Sequence, residues 1–409
     1  MADQTDVSSG ATTAAGIAVA EPGAVGQLAG PGTGRTSTPS DVRNQRVRSN
    51  NPDDFGVPNG REEDWRFTPL ARLGVLKAAA ASDAHLTPKF EVPDGVEVST
   101  LPAGDPLLDN LPLPADWLSA VALRESGGAT VIRVPRGASY DEPLVLRLHG
   151  DGGADPVWGH IVIDIGAQAQ ATVVLEHTGT AQYAALVSVV VGDQAALDFI
   201  SLQTWDDDAV HVAHHAIRLG RDARLRSAQV SLGGDLVRIT ETVEMTGTGA
   251  DVQLSGLFFA DAGQHFEHRL FVDHQQPHCR SRVNYKGALQ GEGAHGVWIG
   301  DVLIGKYAIG TDTYEVNRNL VLTDGARADS VPNLEIETGE ITGAGHASAT
   351  GRFDDLQLFY LMARGIPQDE ARRLVVRGFF NEIIEQISVA EIRERLVDAV
   401  DAELERSSL

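Results

Sequence analysis

The run "ATVVLEHTG" (Ala171–Gly179), with "AALDFISLQT" (Ala195–Thr204) and "DARLRSAQVSLGG" (Asp222–Gly234) after it, decides the fold. Each is a short apolar, β-branched stretch, in part alternating with polar residues and closed by a Gly or Asp turn signal. That is the pattern of a strand. "ATVIRVPRG" (Ala129–Gly137), "EPLVLRLHG" (Glu142–Gly150) and "HIVIDIG" (His160–Gly166) carry the same texture toward the N-terminus. The turn signals recur in register at Gly166-Ala167, Gly192-Asp193, Gly220-Arg221-Asp222 and Gly249-Ala250-Asp251, roughly 26 to 29 residues apart, a period of solenoids. A unit this small cannot bury its own apolar face, whereas stacked units can. The expected fold is therefore mainly β: a right-handed β-helix (β-solenoid) core over residues 130–352, with a large jelly-roll sandwich as the alternative.

The flanks read differently. Residues 51–129 are expected to form an N-terminal helical region, with Thr68 capping a helix whose first turn holds Pro69, and with "PADWLSAVALRES" as a further helix. Residues 353–409 read as a C-terminal helical bundle. Asp354 is placed to cap its first helix, Gly365 to end it in a left-handed conformation, and Pro367 with Asp369 and Glu370 to open the second. In that second helix Ala371, Leu374, Val375, Phe379, Ile383 and Ile387 form an apolar stripe. Ser388 to Glu391 is a capping box, after which Ile392, Leu396, Val400 and Leu404 repeat at a spacing of four. Residues 1–50, rich in Ala, Gly, Ser, Thr and Pro, read as a disordered tail with no secretory signal.

Composition narrows the function classes. The chain has 409 residues, 42% of them hydrophobic, enough for a sizeable core. A net charge of −24 repels a phosphate backbone, so nucleic acid is not an expected partner. No apolar run approaches the roughly 20 residues needed to cross a bilayer, and the default location is cytoplasmic. The single cysteine, Cys279, excludes an internal disulfide and leaves any thiolate-rich metal site dependent on a second chain.

Several motifs carry less than they suggest. "GDVLIGKY" (Gly300–Tyr307) follows a phosphate loop for seven positions, but Tyr307 stands where a Ser or Thr hydroxyl is required and the flanks read as strand. In "HVAHHAIRL" His211 and His215 share one strand face while His214 takes the other. The cluster His265, His268, Asp273, His274, His278 and Cys279 has metal-ligand types without a zinc spacing, so turn and core histidines are the plainer account. Asp206, Asp207 and Asp208 read as a solvated loop. No Gly-x-Ser-x-Gly elbow occurs and no acidic ladder recurs at the turn period, which leaves hydrolase or β-helix carbohydrate chemistry without an anchor.

His346 differs in kind, because its flanks Gly343, Ala344, Gly345, Ala347, Ser348, Ala349, Thr350 and Gly351 are all small. Either a tight strand passes under a helix with the imidazole bonded to backbone, or the imidazole is kept clear for use.

The stretch from Thr311 to Phe380 resembles the SufB/SufD family of iron-sulfur cluster assembly proteins. The resemblance is carried by "NRNL.L" (Asn317–Leu322), "P.LEI" (Pro332–Ile336), His346 five residues before Gly351, "LFYL..RGI" (Leu358–Ile366) and Gly378-Phe379; "EDWRFTPL" near residue 63 resembles the SufD branch. In weaker form the likeness spans roughly residues 60 to 400. Many relatives carry a cysteine two residues before the histidine, where this chain has Ala344. The resemblance implies a β-helix with helical ends, a scaffold subunit and not an enzyme, pairing with SufB through the C-terminal part of the core. It implies no stably bound cofactor, but iron or a nascent cluster transiently at His346. It also implies docking of the ATPase SufC on the C-terminal helices, with Asp355, Leu358, Phe359, Arg364, Arg373, Val376, Arg377 and Phe380 as candidate contacts. A SufB-like nucleating scaffold is the alternative within the family, and it would need a cysteine near His346.

Overall fold

The computed structural model describes residues 46–353 and 355–406; the remainder of the segment read as a tail, and the Asp354 cap, lie outside them. Sixteen strands run in chain order: β1 Thr87–Glu91, β2 Glu97–Pro102, β3 Gly128–Val134, β4 Leu144–Ile165, β5 Gln170–Val191, β6 Ala196–Trp205, β7 Val210–Leu219 and β8 Arg224–Ser231, followed by β9 Leu236–Met245, β10 Asp251–Ala260, β11 His265–His274, β12 Arg280–Leu289, β13 His295–Ile304, β14 Asp312–Val321, β15 Arg327–Ile336 and β16 Gly343–Arg352. Among β4 to β16 every pairing is parallel. β6, β8, β10, β12, β14 and β16 stack as one wall, and β7, β9, β11, β13 and β15 as the other. The long β4 and β5 each bend to serve both walls. This is a β-solenoid, and the parallel pairing excludes the jelly roll.

The turn stack shows why the glycines recur. Gln168, Gln194, Asp222, Gly249, His278 and Gly310 all adopt positive φ, and each donates its N–H to a carbonyl of the next coil, as in Gln194 to Arg221 at 2.7 Å and His278 to Ile309 at 2.8 Å. The register glycines Gly166, Gly192 and Gly220 come just before this ladder and serve close approach. A Cβ on Gly192 would lie 2.7 Å from the Ala167 nitrogen, and one on Gly166 would lie 2.6 Å from that of Arg136.

Inward side chains form columns, because paired residues of adjacent parallel strands face the same side. Some columns are apolar, such as Ile217–Val243–Val272–Val302. Others are not. Ser227, Gln229, Glu241, His215, His268 and Tyr285 are buried inside the coil and make a polar spine. Ser227 Oγ donates to Glu241 Oε1 at 2.6 Å, and the Gln229 amide meets His215 Nδ1 at 3.0 Å. Burial pushes Glu241 up to about 7 and holds His215 down at about 3, each shifted away from its charged form.

The N-terminal region is less helical than expected. Its one α-helix, α1, spans Trp117–Glu125 behind a true capping box of Asp116 and Ser119. β1 and β2 are antiparallel strands within it, paired to β4 and β3. Thr68 caps nothing; its hydroxyl donates to Glu267 Oε2 at 2.7 Å, and the 3-10 segment Leu70–Ala78 starts without a side-chain cap. "EDWRFTPL" is instead a clamp. Arg238, 1% exposed, lies 3.9 Å over the Trp65 ring, donates to the Asp64 carbonyl and pairs with Glu267. Arg269 holds the Asp64 carboxylate at 2.9 Å. Arg46 and Arg48, in the stretch read as tail, pair with Asp301 and with Glu244 and Asp273 on the outer face.

Three helices close the chain: α2 Asp355–Met362, α3 Gln368–Ile384 and α4 Ala390–Arg406. Gly365 is left-handed after α2, and Pro367 stands at the N-cap of α3. The expected bundle has no core of its own. Val376, Phe380, Ile383, Ile387, Leu396 and Val400 pack against Leu202, Val230, Leu257 and Phe259 on the outer face of the first wall. The buried face of α3 is rotated from the expected stripe, leaving Leu374 exposed.

Gly192→Ala is expected to lower stability by about 1–3 kcal/mol, the range for overpacking a closed site, read as a shift in urea midpoint without loss of parallel-β circular dichroism. Glu241→Gln tests the spine. A carboxyl raised from 4.5 to about 7 in the fold favours the native state less as pH climbs between those values, because the native state there holds the extra proton. The buried histidines titrate in the opposite sense, so the comparison is between variants: relative to wild type, the Gln variant should gain stability as pH rises from 4.5 to about 7, by at most about 1.4 kcal/mol per pH unit.

Candidate functional site at the open end of the solenoid

The last coil is built by β14, β15 and β16, and among the described residues no strand pairs with the outer edges of β15 and β16. Asn317 and Asn319 on β14 both point inward and tie this coil together. Asn319 Nδ2 donates to Asn317 Oδ1 at 2.9 Å and to Ser330 Oγ on β15 at 2.9 Å; Ser330 Oγ donates to Asn317 Oδ1 at 2.6 Å, and Thr350 on β16 joins at 3.3 Å. The "NRNL.L" stretch is thus a polar lock on the final turn.

His346 sits on β16 in register with Glu315 of β14, at the end of a column that runs Phe199, Ser227, Leu254, Val283, Glu315, His346. The imidazole is exposed, and among the described residues no further coil covers it. Ala344, two residues earlier on the same face, packs against the interior core, which places His346 over the mouth of the coil. The exposure of the ring does not fit the first reading, a covered imidazole under a helix.

Glu315 lies directly beneath. It is 1% exposed, and neither carboxylate oxygen has a hydrogen-bond partner. Burial, with the charge of Asp301 adding, pushes it up to about 8. A Cβ on Gly300 of the facing wall would come 2.5 Å from the Trp298 ring and 3.1 Å from Glu315 Oε1, so the glycine leaves room for both the indole and the carboxyl. The phosphate-loop look of Gly300–Tyr307 is a strand, β13, and the turn after it.

The histidine cluster disperses. His265 faces outward against Glu267 and His295, His268 points inward onto Phe258 and Tyr285, His274 bonds Ser281, and Asp273 meets Arg48 and Gln275. His278 is a turn residue with positive φ. His211 and His215 are inside, while His214 is outside on Thr242. Cys279 is buried, its thiol pushed up by desolvation. Among the described residues no three His, Cys, Asp or Glu side chains converge. Asp206, Asp207 and Asp208 lie exposed in the turn between β6 and β7.

The helical contacts divide. Phe359 is 70% exposed and Leu358 half-buried on α2, with Leu356 and Tyr360 also outward and Arg364 over the Tyr360 ring at 4.4 Å. The side chain of Asp355 is outside the described residues. Arg373 pairs with Glu405, and Arg377 with Asp401. Val376 and Phe380 are fully buried against the solenoid, so neither is available to a partner while α3 stays docked. Periodicity misplaced them because Val375 and Phe379 fit the same apolar spacing. Glu315 escaped the sequence reading altogether; its one signal is an acid at an inward position of an alternating strand.

A family profile described as "SUF system FeS cluster assembly, SufBD core domain" matches residues 148–379. An iron-sulfur cluster assembly SufBD family protein of Mycobacterium tuberculosis (strain H37Rv) is 52% identical over 360 residues, covering 86% of this chain and 91% of that protein. One from Mycobacterium leprae is 50% identical over 360 residues, covering 86% and 92%. The iron-sulfur cluster assembly protein SufD of Escherichia coli K12 is 26% identical over 386 residues, covering 85% and 90%. Among the described residues no helix is long and apolar enough to cross a membrane. The chain belongs to the SufBD family of iron-sulfur cluster assembly proteins.

Proposed function

We propose that this chain is the SufD-type scaffold subunit of a cytoplasmic Suf assembly complex, not an enzyme in its own right, and that it contributes His346 to a site completed by SufB. The observation that carries this is an exposed imidazole on the uncovered last coil of a chain whose only cysteine is buried elsewhere. Thiolates for a nascent cluster must then come from the partner, while a neutral imidazole suits iron. A chain that nucleates the cluster alone would need a thiol at this end, and Ala344 stands in the nearest position. The free edges of β15 and β16 offer main-chain groups to a partner strand. SufC would dock on the C-terminal helices, where Leu356, Phe359 and Tyr360 form an exposed apolar surface on α2.

His346→Ala in the complex with SufB and SufC should leave copurification unchanged while iron-sulfur formation, followed by visible absorption, falls at least tenfold; undiminished cluster yield would remove the residue from the site. Phe359→Asp, at an exposed position, should leave the thermal midpoint of the isolated chain unchanged. SufC retention on the tagged complex should drop about tenfold or more, as for loss of an aromatic anchor worth about 1.4 kcal/mol or above.

A further inference from the structure

We propose that Glu315 is a second protein ligand beside His346, the two forming a nitrogen–oxygen site for a divalent transition-metal ion at the open end of the solenoid. The proposal rests on the reading of His346 given above. Register pairing puts the two residues on the same face of neighbouring parallel strands, about 4.8 Å apart in the stacking direction, within reach of one ion for side chains of these lengths. The carboxyl has no donor of its own: both oxygens are buried and unpartnered. Its polar neighbours do not serve it, because Asn317, Asn319 and Ser330 satisfy one another.

An orphaned carboxyl of this kind is costly, since a buried acceptor without a partner forfeits its hydration. A group kept at that cost calls for an explanation, and a cation that arrives later is one. The surroundings fit. Gly300 adds no side chain to the space that the carboxyl shares with the Trp298 ring, and Ala344, on the His346 face of β16, is small. Imidazole and carboxylate are suitable donors for ferrous iron, and two protein ligands leave positions for a partner's thiolate or for sulfide.

The test uses the full-length chain under anaerobic conditions with Co2+ as the probe, read by its visible d–d absorption, and with Fe2+ competing. Wild type should bind Co2+ at one site that Fe2+ displaces. His346→Ala and Glu315→Gln should each weaken binding at least tenfold. Glu315→Met should do the same while raising the thermal midpoint, because an apolar side chain removes the unpartnered acceptor; that gain shows that lost binding is not lost folding. Wild-type binding in both Glu315 variants overturns the proposal, as does a wild-type chain that takes up no Co2+. If His346→Ala alone loses the metal, Glu315 is not a ligand and the reading of His346 stands. If all three variants lose it while His346→Ala still supports full cluster formation in the complex, the site is real and the assembly reading falls.

Discussion

In-register parallel stacking is the constraint on which the rest of this molecule depends. Once the coils are about 4.8 Å apart and aligned residue for residue, every inward side chain has its neighbours set by the register. Close turns make that spacing possible, and the turns depend on glycines that let one backbone settle on the next. A charged or polar group in such a column can be satisfied only sideways, along its own wall or across to the other. Ser227, Glu241, Gln229 and His215 bond to one another in this way, each through part of its hydrogen-bonding capacity. Glu315 shows it left incomplete, one coil from the end.

The outer faces supply what the columns cannot. On one wall the segment around Trp65 is held by a buried cation, Arg238, sandwiched between an indole face and carboxylates. Such a cluster is expensive to bury and more expensive to break, since removing one member strands the others without solvent. On the other wall α3 and α4 cover the sheet with apolar side chains. The two coverings leave the C-terminal mouth of the coil as the region where interior groups meet solvent. Position therefore sets the surroundings there: the same imidazole four coils earlier would be enclosed in the core like His215.

Much of this was legible in the sequence, because period and turn chemistry act locally. β-branched runs closed by Gly-Asp turns imply strands, and their spacing implies a coil before any pairing is known. What was illegible depended on partners distant in sequence. Thr68 has the residue type of a helix cap, yet its hydroxyl is taken by Glu267, nearly two hundred positions away. β1 and β2 were missed because antiparallel edge strands with largely exposed faces carry little alternation. α3 presents two overlapping apolar arcs, and which one turns inward is decided by the sheet beneath it. At the site, the small residues around His346 marked it from sequence alone. Glu315 could be seen only once β14 lay beside β16.

The uncovered rim of the coil has a consequence for the chain in the absence of a companion. β15 and β16 end their walls with unpaired backbone donors and acceptors, and β16 is almost bare of side chains that would keep another strand away. Rims of this sort add strands, and in a head-to-tail orientation they polymerise. Pro332 and the ionic side chains of Arg327, Asp329, Glu335 and Arg352 are deterrents on this pair of strands. An open rim of this kind is a ready site for the addition of a further strand.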